Sequence, residues 1–282
     1  MAERAPSRID GDATTVGVIG WPVEHSLSPV IHNAAFAALE MPWVYVPLPV
    51  EPGRLVEAIV GLRALGFRGA NVTMPHKTWA AELVDSLSED AERLHAVNTL
   101  VVGPSGLAGH NTDAPGFERF LHDDAGFDPA GRSALIYGAG GAARACALAL
   151  ARAAAAGITV AVREASRADP IREMLADDPV AVDVIAFERA ADARADLIVN
   201  ATPLGAHGEW LPMPALDHTA LVVDLLYRPA STPLQTAAKD AGVAAFGGVG
   251  LLLHQAALSF ELWSGRPAPL EVMSAAALAE LA

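Results

Sequence analysis

A single cysteine, Cys146, stands among the 282 residues, so the chain cannot build an internal disulfide framework. That scarcity fits a reducing compartment, and its setting in "RACALALA" reads as helix packing. Basic residues are also few: 19 lysines and arginines face 33 aspartates and glutamates, for a formal net charge of −14. So acidic a chain is a poor partner for nucleic acid or an anionic membrane, though a pocket's local field can still favour a small anion. No run of about 18 uninterrupted apolar residues suggests a membrane span. The opening "MAERAPSRIDGDATT" lacks the apolar stretch of a signal peptide and reads as a frayed lead-in. The nine histidines show no HExxH or other ligand spacing, so no metal site is expected. Internal repeats are missing too. These absences leave a soluble, cytoplasmic protein.

What is there is globular. Hydrophobic residues make up 52% and charged residues 18%, and the length suits two domains or one large α/β unit. Apolar, β-rich runs alternate with Ala- and Leu-rich helical runs. Strands are expected at 14–20, 43–48, 68–73 and 96–102, with helical spacing over 29–40, 52–65 and 76–94. A second series starts at "GRSALIYGAGGAARACALALARA", 131–153, and continues through "GITVAV", "VAVDVIAF", "ADLIVNA", "ALVVDLLY" and "GVAAFGG". Such alternation gives parallel sheets covered by helices on both faces. The turn-rich "FLHDDAGFDPAG" separates the series, and the domain change is expected near residue 114, ahead of it. The closing helices, 250–264 and about 269–281, are too apolar for a solvated tail and need a neighbour to cover them.

Two kinds of polar feature interrupt this frame. "ALIYGAGGAARA" sets Gly138, Gly140 and Gly141 between a strand and a helix. Glycines allow a tight turn and let a diphosphate reach the helix N-terminus, where free N–H groups favour an anion. With strand and helix both in place, a dinucleotide is the better reading than a purely steric turn. After the next strand, Arg163 and Arg167 suit a 2′-phosphate whereas Glu164 suits a 2′-hydroxyl, and a solvated helix start competes with both. In the first half, Ser26 and Ser28, Asn71, Thr73 and Lys77, Asn98, then Asn111, Thr112 and Asp113 cluster at strand or loop ends. Each has an ordinary alternative: serine N-capping, a satisfied buried amide, an Asx turn. As a group, with little aromatic character, they suit a small polyhydroxylated acid. His76 reads as a surface residue at a helix start.

These blocks, in this order, resemble the shikimate dehydrogenase family over about residues 15 to 275. "GWPVEHSLSPVIHN", "NVTMPHK", "AVNTL", "GHNTDAPGF", "GAGGAARA", "NATPLG", "DLLYRPASTPL" and "GLLLHQAALSFELWSG" carry the likeness. It implies an N-terminal α/β substrate-binding and catalytic domain over 14–113 and a Rossmann-type, doubly wound NAD(P)-binding domain over 114–249. Helices in 250–282 would return to the substrate domain. It also implies reversible, nicotinamide-dependent reduction of 3-dehydroshikimate to shikimate, in a monomer or homodimer. By the resemblance Ser26 and Ser28 bind the substrate carboxylate. Asn71, Thr73, Asn98, Asp113 and Gln255 position ring hydroxyls, Lys77 and Asp113 form the catalytic pair, and Tyr227 lies nearby. The cofactor, NADP with NAD as the alternative, would be held by Gly138, Ala139, Gly140, Gly141, Ala142, Arg163, Glu164, Arg167, Thr202, Gly248 and Leu251.

The chain departs from the family at two points. Where NADP-preferring members carry Asn-Arg-Thr, this chain has Val162, Arg163 and Glu164, and the family's last-block Met is Leu251. Two rivals follow: an NAD-dependent quinate or quinate/shikimate dehydrogenase, and a non-catalytic sensor of a shikimate-pathway metabolite. The sensor has no need of Lys77, Asp113 and the glycine loop together, so the enzyme is preferred.

Overall fold

Val16 to Gly20 are buried without a break, the pattern of a strand covered on both faces rather than of one that alternates with solvent. The computed structural model describes residues 9–282, so the first eight residues of the expected lead-in lie outside the described residues. The described chain forms two units: one runs to Thr112 and includes Gln255–Ala282, and the other is Asp113–His254.

The first unit contains β1 (Thr14–Gly20), α1 (Ser28–Ala38), β2 (Trp43–Pro49), α2 (Leu55–Ala64), β3 (Gly69–Val72), α3 (Lys77–Glu82), β4 (Ser86–Leu87), α4 (Glu89–Leu94), β5 (Thr99–Gly103) and β6 (Gly106–His110). Its sheet has the order β2-β1-β3-β5-β6-β4. The expected all-parallel arrangement fails here. β5 runs antiparallel to β3, and β6 antiparallel to β5. Gly103 pairs with Gly106, which leaves a two-residue turn, and only antiparallel strands can be joined so tightly. The single helix expected over 76–94 is also broken. Asp85 N–H donates to the Leu107 carbonyl while Leu107 N–H donates to Asp85 Oδ2 at 2.7 Å, so this tertiary ladder overrides the helical period. Ser88 then caps α4 by accepting from Ala91 N–H.

The second unit begins with α5 (Asp113–Arg119) and a π-helical turn at Phe120–Asp124. It continues through β7 (Ser133–Tyr137), α6 (Gly141–Arg152), β8 (Gly157–Val162), α7 (Asp169–Met174), β9 (Ala181–Ala186), β10 (Leu197–Asn200), β11 (Leu221–Asp224), α8 (Pro233–Asp240) and β12 (Ala244–Gly247). All six strands are parallel, in the order β12-β11-β10-β7-β8-β9. This is the doubly wound arrangement, with its switch point between β7 and β10, where ligands bind beyond the carboxyl ends of the strands. Cys146 is fully buried on α6, and burial, then the nearby charge of Asp113, push its thiol pKa up.

The apolar closing segments find their cover. α9 (Val249–Ser264) starts in the second unit, and its residues from Gln255 on belong to the first. Gly250 lies against the Phe120 ring and His254 Nε2 sits 3.2 Å from Asp124, which keeps this first stretch of α9 with the second unit. α10 (Leu270–Leu281) packs on α1. Among the described residues, no helix is long and apolar enough to cross a membrane.

Candidate functional site

The second unit holds a cavity of about 840 Å³ at its switch point. Gly138, Ala139, Gly140 and Arg144 line it after β7. Arg163, Glu164, Ser166 and Arg167 follow β8, and Thr202 to Leu204 follow β10. Gly138 has φ +96°, a backbone region that L side chains rarely adopt. Gly140 caps α6, whose first turn carries no acidic residue, so the positive end of the helix faces the cavity's side of the turn unopposed. Gly141 and Ala142 open that helix. The charged residues after β8 are exposed around a short 3-10 turn, Ala165–Ala168, and no ion pair joins Glu164 to Arg163 or Arg167 among the described residues. Two guanidinium groups without an ion-pair partner among the described residues, a glycine turn and a helix start suit a phosphate-bearing dinucleotide.

Thr202 is fixed from below. Asn200 Oδ1 accepts from Thr202 N–H at 3.0 Å and from its hydroxyl at 2.7 Å. Four expected cofactor residues are not part of the lining: Gly141 and Ala142, at the start of α6, and Gly248 and Leu251. Gly248 instead meets Leu225, whose carbonyl would clash with any Cβ there, so its lack of a side chain is a packing requirement. Sequence reasoning passed over Arg144. Its position one turn beyond Gly140 was the available signal, whereas the partial burial that lowers its pKa is seen only in the structure.

In the first unit the antiparallel pair decides what meets what. β1 and β3 are parallel neighbours, so the loops that follow them leave at the same end of the sheet. Trp21 N–H donates to Met74 O, and Thr73 N–H to Ile19 O. Those loops carry Ser26 and Thr73 and lead into Ser28 and Lys77, the first residues of α1 and α3. Because β5 runs the other way, Asn98, just before its start, arrives at the carboxyl end of β3, and Val72 N–H donates to its carbonyl. Asn111 and Thr112, just after β6, return to the same end. The Asn98 amide bonds Thr112 from both its ends: Nδ2 to Oγ1 at 2.9 Å, and Oδ1 from the peptide N–H at 2.9 Å. Gln255 is half-buried on α9, and its carbonyl accepts from Ser259 Oγ.

Three expectations change. Serine does not cap α1: the capping position is Leu27, Ser28 is already helical, and its N–H donates to Ser26 Oγ at 3.3 Å. His76 is buried, not a surface residue. Its Nε2 sits 2.7 Å from the Val50 carbonyl, which can only accept, so that nitrogen carries the proton. Asn71, expected to hold a ring hydroxyl, directs its amide inward. Nδ2 has three internal acceptors, Asn98 O, Thr99 Oγ1 and Ser259 Oγ, and Oδ1 accepts from Tyr45. Both amide hydrogens are taken up by the protein.

Lys77 opens α3, and its carbonyl accepts from Val97 N–H. Asp113 opens α5 and Tyr227 is half-buried, its pKa raised by burial against the opposing charge of Arg228. Both belong to the second unit. Among the described residues no cluster of three or more His, Cys, Asp or Glu could hold a metal ion.

Comparison with known proteins agrees with this geometry. A family model described as the shikimate dehydrogenase substrate binding domain matches residues 18–100, and one described as the shikimate 5'-dehydrogenase C-terminal domain matches 248–278. The chain is 48% identical to a shikimate dehydrogenase (NADP(+)) of Rubrobacter xylanophilus, covering 92% of this chain and 93% of the relative. It is 43% identical to the protein of that name from Methanopyrus kandleri, over 97% and 98% of the two chains. A crystal structure of shikimate 5-dehydrogenase from Thermus thermophilus, in complex with NADP(H) and shikimate, superposes with a TM-score of 0.84 at 36% identity, over 94% and 99% of the two chains. At such identity over nearly its whole length, the chain belongs to the shikimate dehydrogenase family.

Proposed function

We propose that this protein is an NADP-dependent oxidoreductase that interconverts 3-dehydroshikimate and shikimate in the cytoplasm, as a monomer or homodimer. Family membership supports the reaction. The observation that carries the cofactor is the switch-point cavity, where Arg163 and Arg167 have no carboxylate partner among the described residues and stand beside the glycine turn. The first unit is then the substrate-binding and catalytic domain and the second the NAD(P)-binding domain.

NADPH, when bound, supplies the hydride. Gly138, Ala139, Gly140, Gly141 and Ala142 would hold its diphosphate, and Arg163 and Arg167 its 2′-phosphate. Thr202, Gly248 and Leu251 are proposed as further contacts; Gly141, Ala142, Gly248 and Leu251 lie outside the cavity lining that carries the others. The chain itself must hold an anionic acid, orient hydroxyls and deliver a proton. Ser26 and Ser28 offer two hydroxyls to the carboxylate. Thr73, Asn98, Gln255 and Asp113 orient the ring, with Asn71 acting through its neighbours and Tyr227 nearby. Lys77 and Asp113 form the catalytic pair. Lys77 stabilises negative charge as it grows on the former carbonyl oxygen and delivers the proton, and it takes that proton back in the oxidative direction.

Initial rates on purified protein test this, crossing shikimate and quinate with NADP and NAD. Preference for shikimate with NADP is expected. Glu164 lines the same cavity and favours a second reading, in which a carboxylate holds the ribose of NAD. Preference for NAD would establish that reading, and turnover of quinate alone would replace the substrate. Folded protein inactive in all four combinations would sink the enzymatic assignment.

A further inference from the structure

A buried histidine stands directly before Lys77. His76 and Ala80, one turn apart, are the buried stripe at this end of α3, and Lys77 is half-buried beside them. An apolar side chain would fill the place of His76 with no polar atom to satisfy, so the imidazole serves through its N–H. Nε2 donates to the Val50 carbonyl at 2.7 Å. Val50 follows β2, and its own N–H donates to Gly20 O at the end of β1. His76 N–H donates to Thr73 O, and Thr73 N–H to Ile19 O, in the residue before Gly20. These bonds close a ring, Gly20–Val50–His76–Thr73–Ile19, across the carboxyl ends of β1, β2 and β3.

The ring holds the start of a short helix. α3 has six residues, too few to fix their own conformation. His76 occupies its capping position and makes no side-chain capping bond, so the imidazole does not serve the helix it precedes. The start of α3 is instead fixed from outside, at two neighbouring residues. The His76 ring is tied to Val50, and the Lys77 carbonyl accepts from Val97 N–H at 2.8 Å. Asn98 follows Val97, so the second tie also sets Lys77 against the segment that brings in Asn98.

We propose that His76 is a positioning residue for Lys77: its bond to Val50 fixes the main chain from which the lysine reaches the reacting oxygen. The inference rests on reading Lys77 as half of the catalytic pair. Lysine carries its charge on a long, flexible stem, and a loose backbone beneath that stem spreads the ammonium over more positions. Misplacing a reacting group by about 1 Å can cost about 10²-fold in rate. The His76 ring is engaged by Val50, so its effect on the reaction passes through Lys77 and falls on kcat.

The test compares His76→Phe, His76→Asn and His76→Gln by steady-state kinetics with shikimate and NADP. Phenylalanine fills the space but has no N–H. The glutamine amide nitrogen can stand where Nε2 stands, whereas the asparagine amide is too short to reach Val50. His76→Phe and His76→Asn should lower kcat by about tenfold, with KM for shikimate and for NADP within about twofold. His76→Gln, which restores the donor, should stay within about threefold of the natural kcat. Adding His76→Phe to Lys77→Ala should cost nothing beyond Lys77→Ala alone. The proposal is overturned, with Lys77→Ala still slow, by an unchanged kcat in His76→Phe, by a loss in His76→Gln as large as in His76→Asn, or by losses that multiply in the double variant. If Lys77→Ala turns over normally, the catalytic reading fails and the proposal with it. Should none of the three His76 variants fold, His76 serves the fold alone and the proposal falls.

Discussion

Asn200 donates to Asp224 Oδ1 at 3.0 Å, joining the ends of two adjacent parallel strands beneath the cofactor cavity. Asp224 is fully buried, and burial raises its pKa although Thr232, Leu226 and Asn200 all donate to it. Thr232 also caps α8 in a reciprocal capping box with Gln235. Thr232→Ala therefore loses a cap, worth about 1 kcal/mol, and leaves a buried carboxylate oxygen without its donor, worth about 1–3 kcal/mol. Urea unfolding at neutral pH should show a loss of about 2–3 kcal/mol. A loss below about 0.5 kcal/mol would mean that water replaces the hydroxyl.

Lys77→Ala should lower kcat by about 10²- to 10⁴-fold, the range for removing a positioned proton donor. Shikimate binding, read by calorimetry, should weaken by less than about tenfold. Near-normal turnover would end the assignment of Lys77 to the catalytic pair.

Replacing Arg163 or Arg167 by Ala should raise KM for NADP by about tenfold or more and leave KM for NAD unchanged, since only NADP carries the 2′-phosphate. Glu164→Ala should act in the same sense as a better phosphate site and improve NADP over NAD. The ratio of kcat/KM for the two cofactors is the measurement. Equal losses with both would assign the arginines to the diphosphate instead.

His32 gives the fold an acid limit. Its folded pKa, about 3, lies below the ordinary 6.5, so between these values the unfolded chain binds the proton and the folded one does not. Stability from this site is complete above pH 6.5 and falls as pH drops toward 3, by about 1.4 kcal/mol per pH unit. His32→Phe, which keeps a stacking ring, should flatten the dependence of unfolding free energy on pH between 6 and 4. The same slope in both proteins would show that His32 takes no part.

The sequence by itself determined the elements whose cause is local. β1, β2 and the glycine turn into α6 were legible because apolar runs, proline and glycine act within a few residues. The ordered motifs, and through them the family, were legible for the same reason: Ser26, Ser28, Thr73, Lys77 and Asn98 stand in short, quotable blocks. Only the tertiary structure decided the rest. The break between α3 and α4 follows from Asp85 pairing with Leu107, and the reversal of β5 from a hairpin whose second strand, Gly106–His110, was not among the expected strands. That reversal brings Asn98 to the same sheet end as Thr73. Asn71 illustrates the difference: its type suggested a ligand contact, yet Ser259, 188 residues away, helps to turn its amide inward. His76 was read as solvated and proved buried because the Val50 carbonyl lay within reach. A polar side chain's role depends on which partners the fold brings to it, and partners distant in sequence leave no mark on the local pattern.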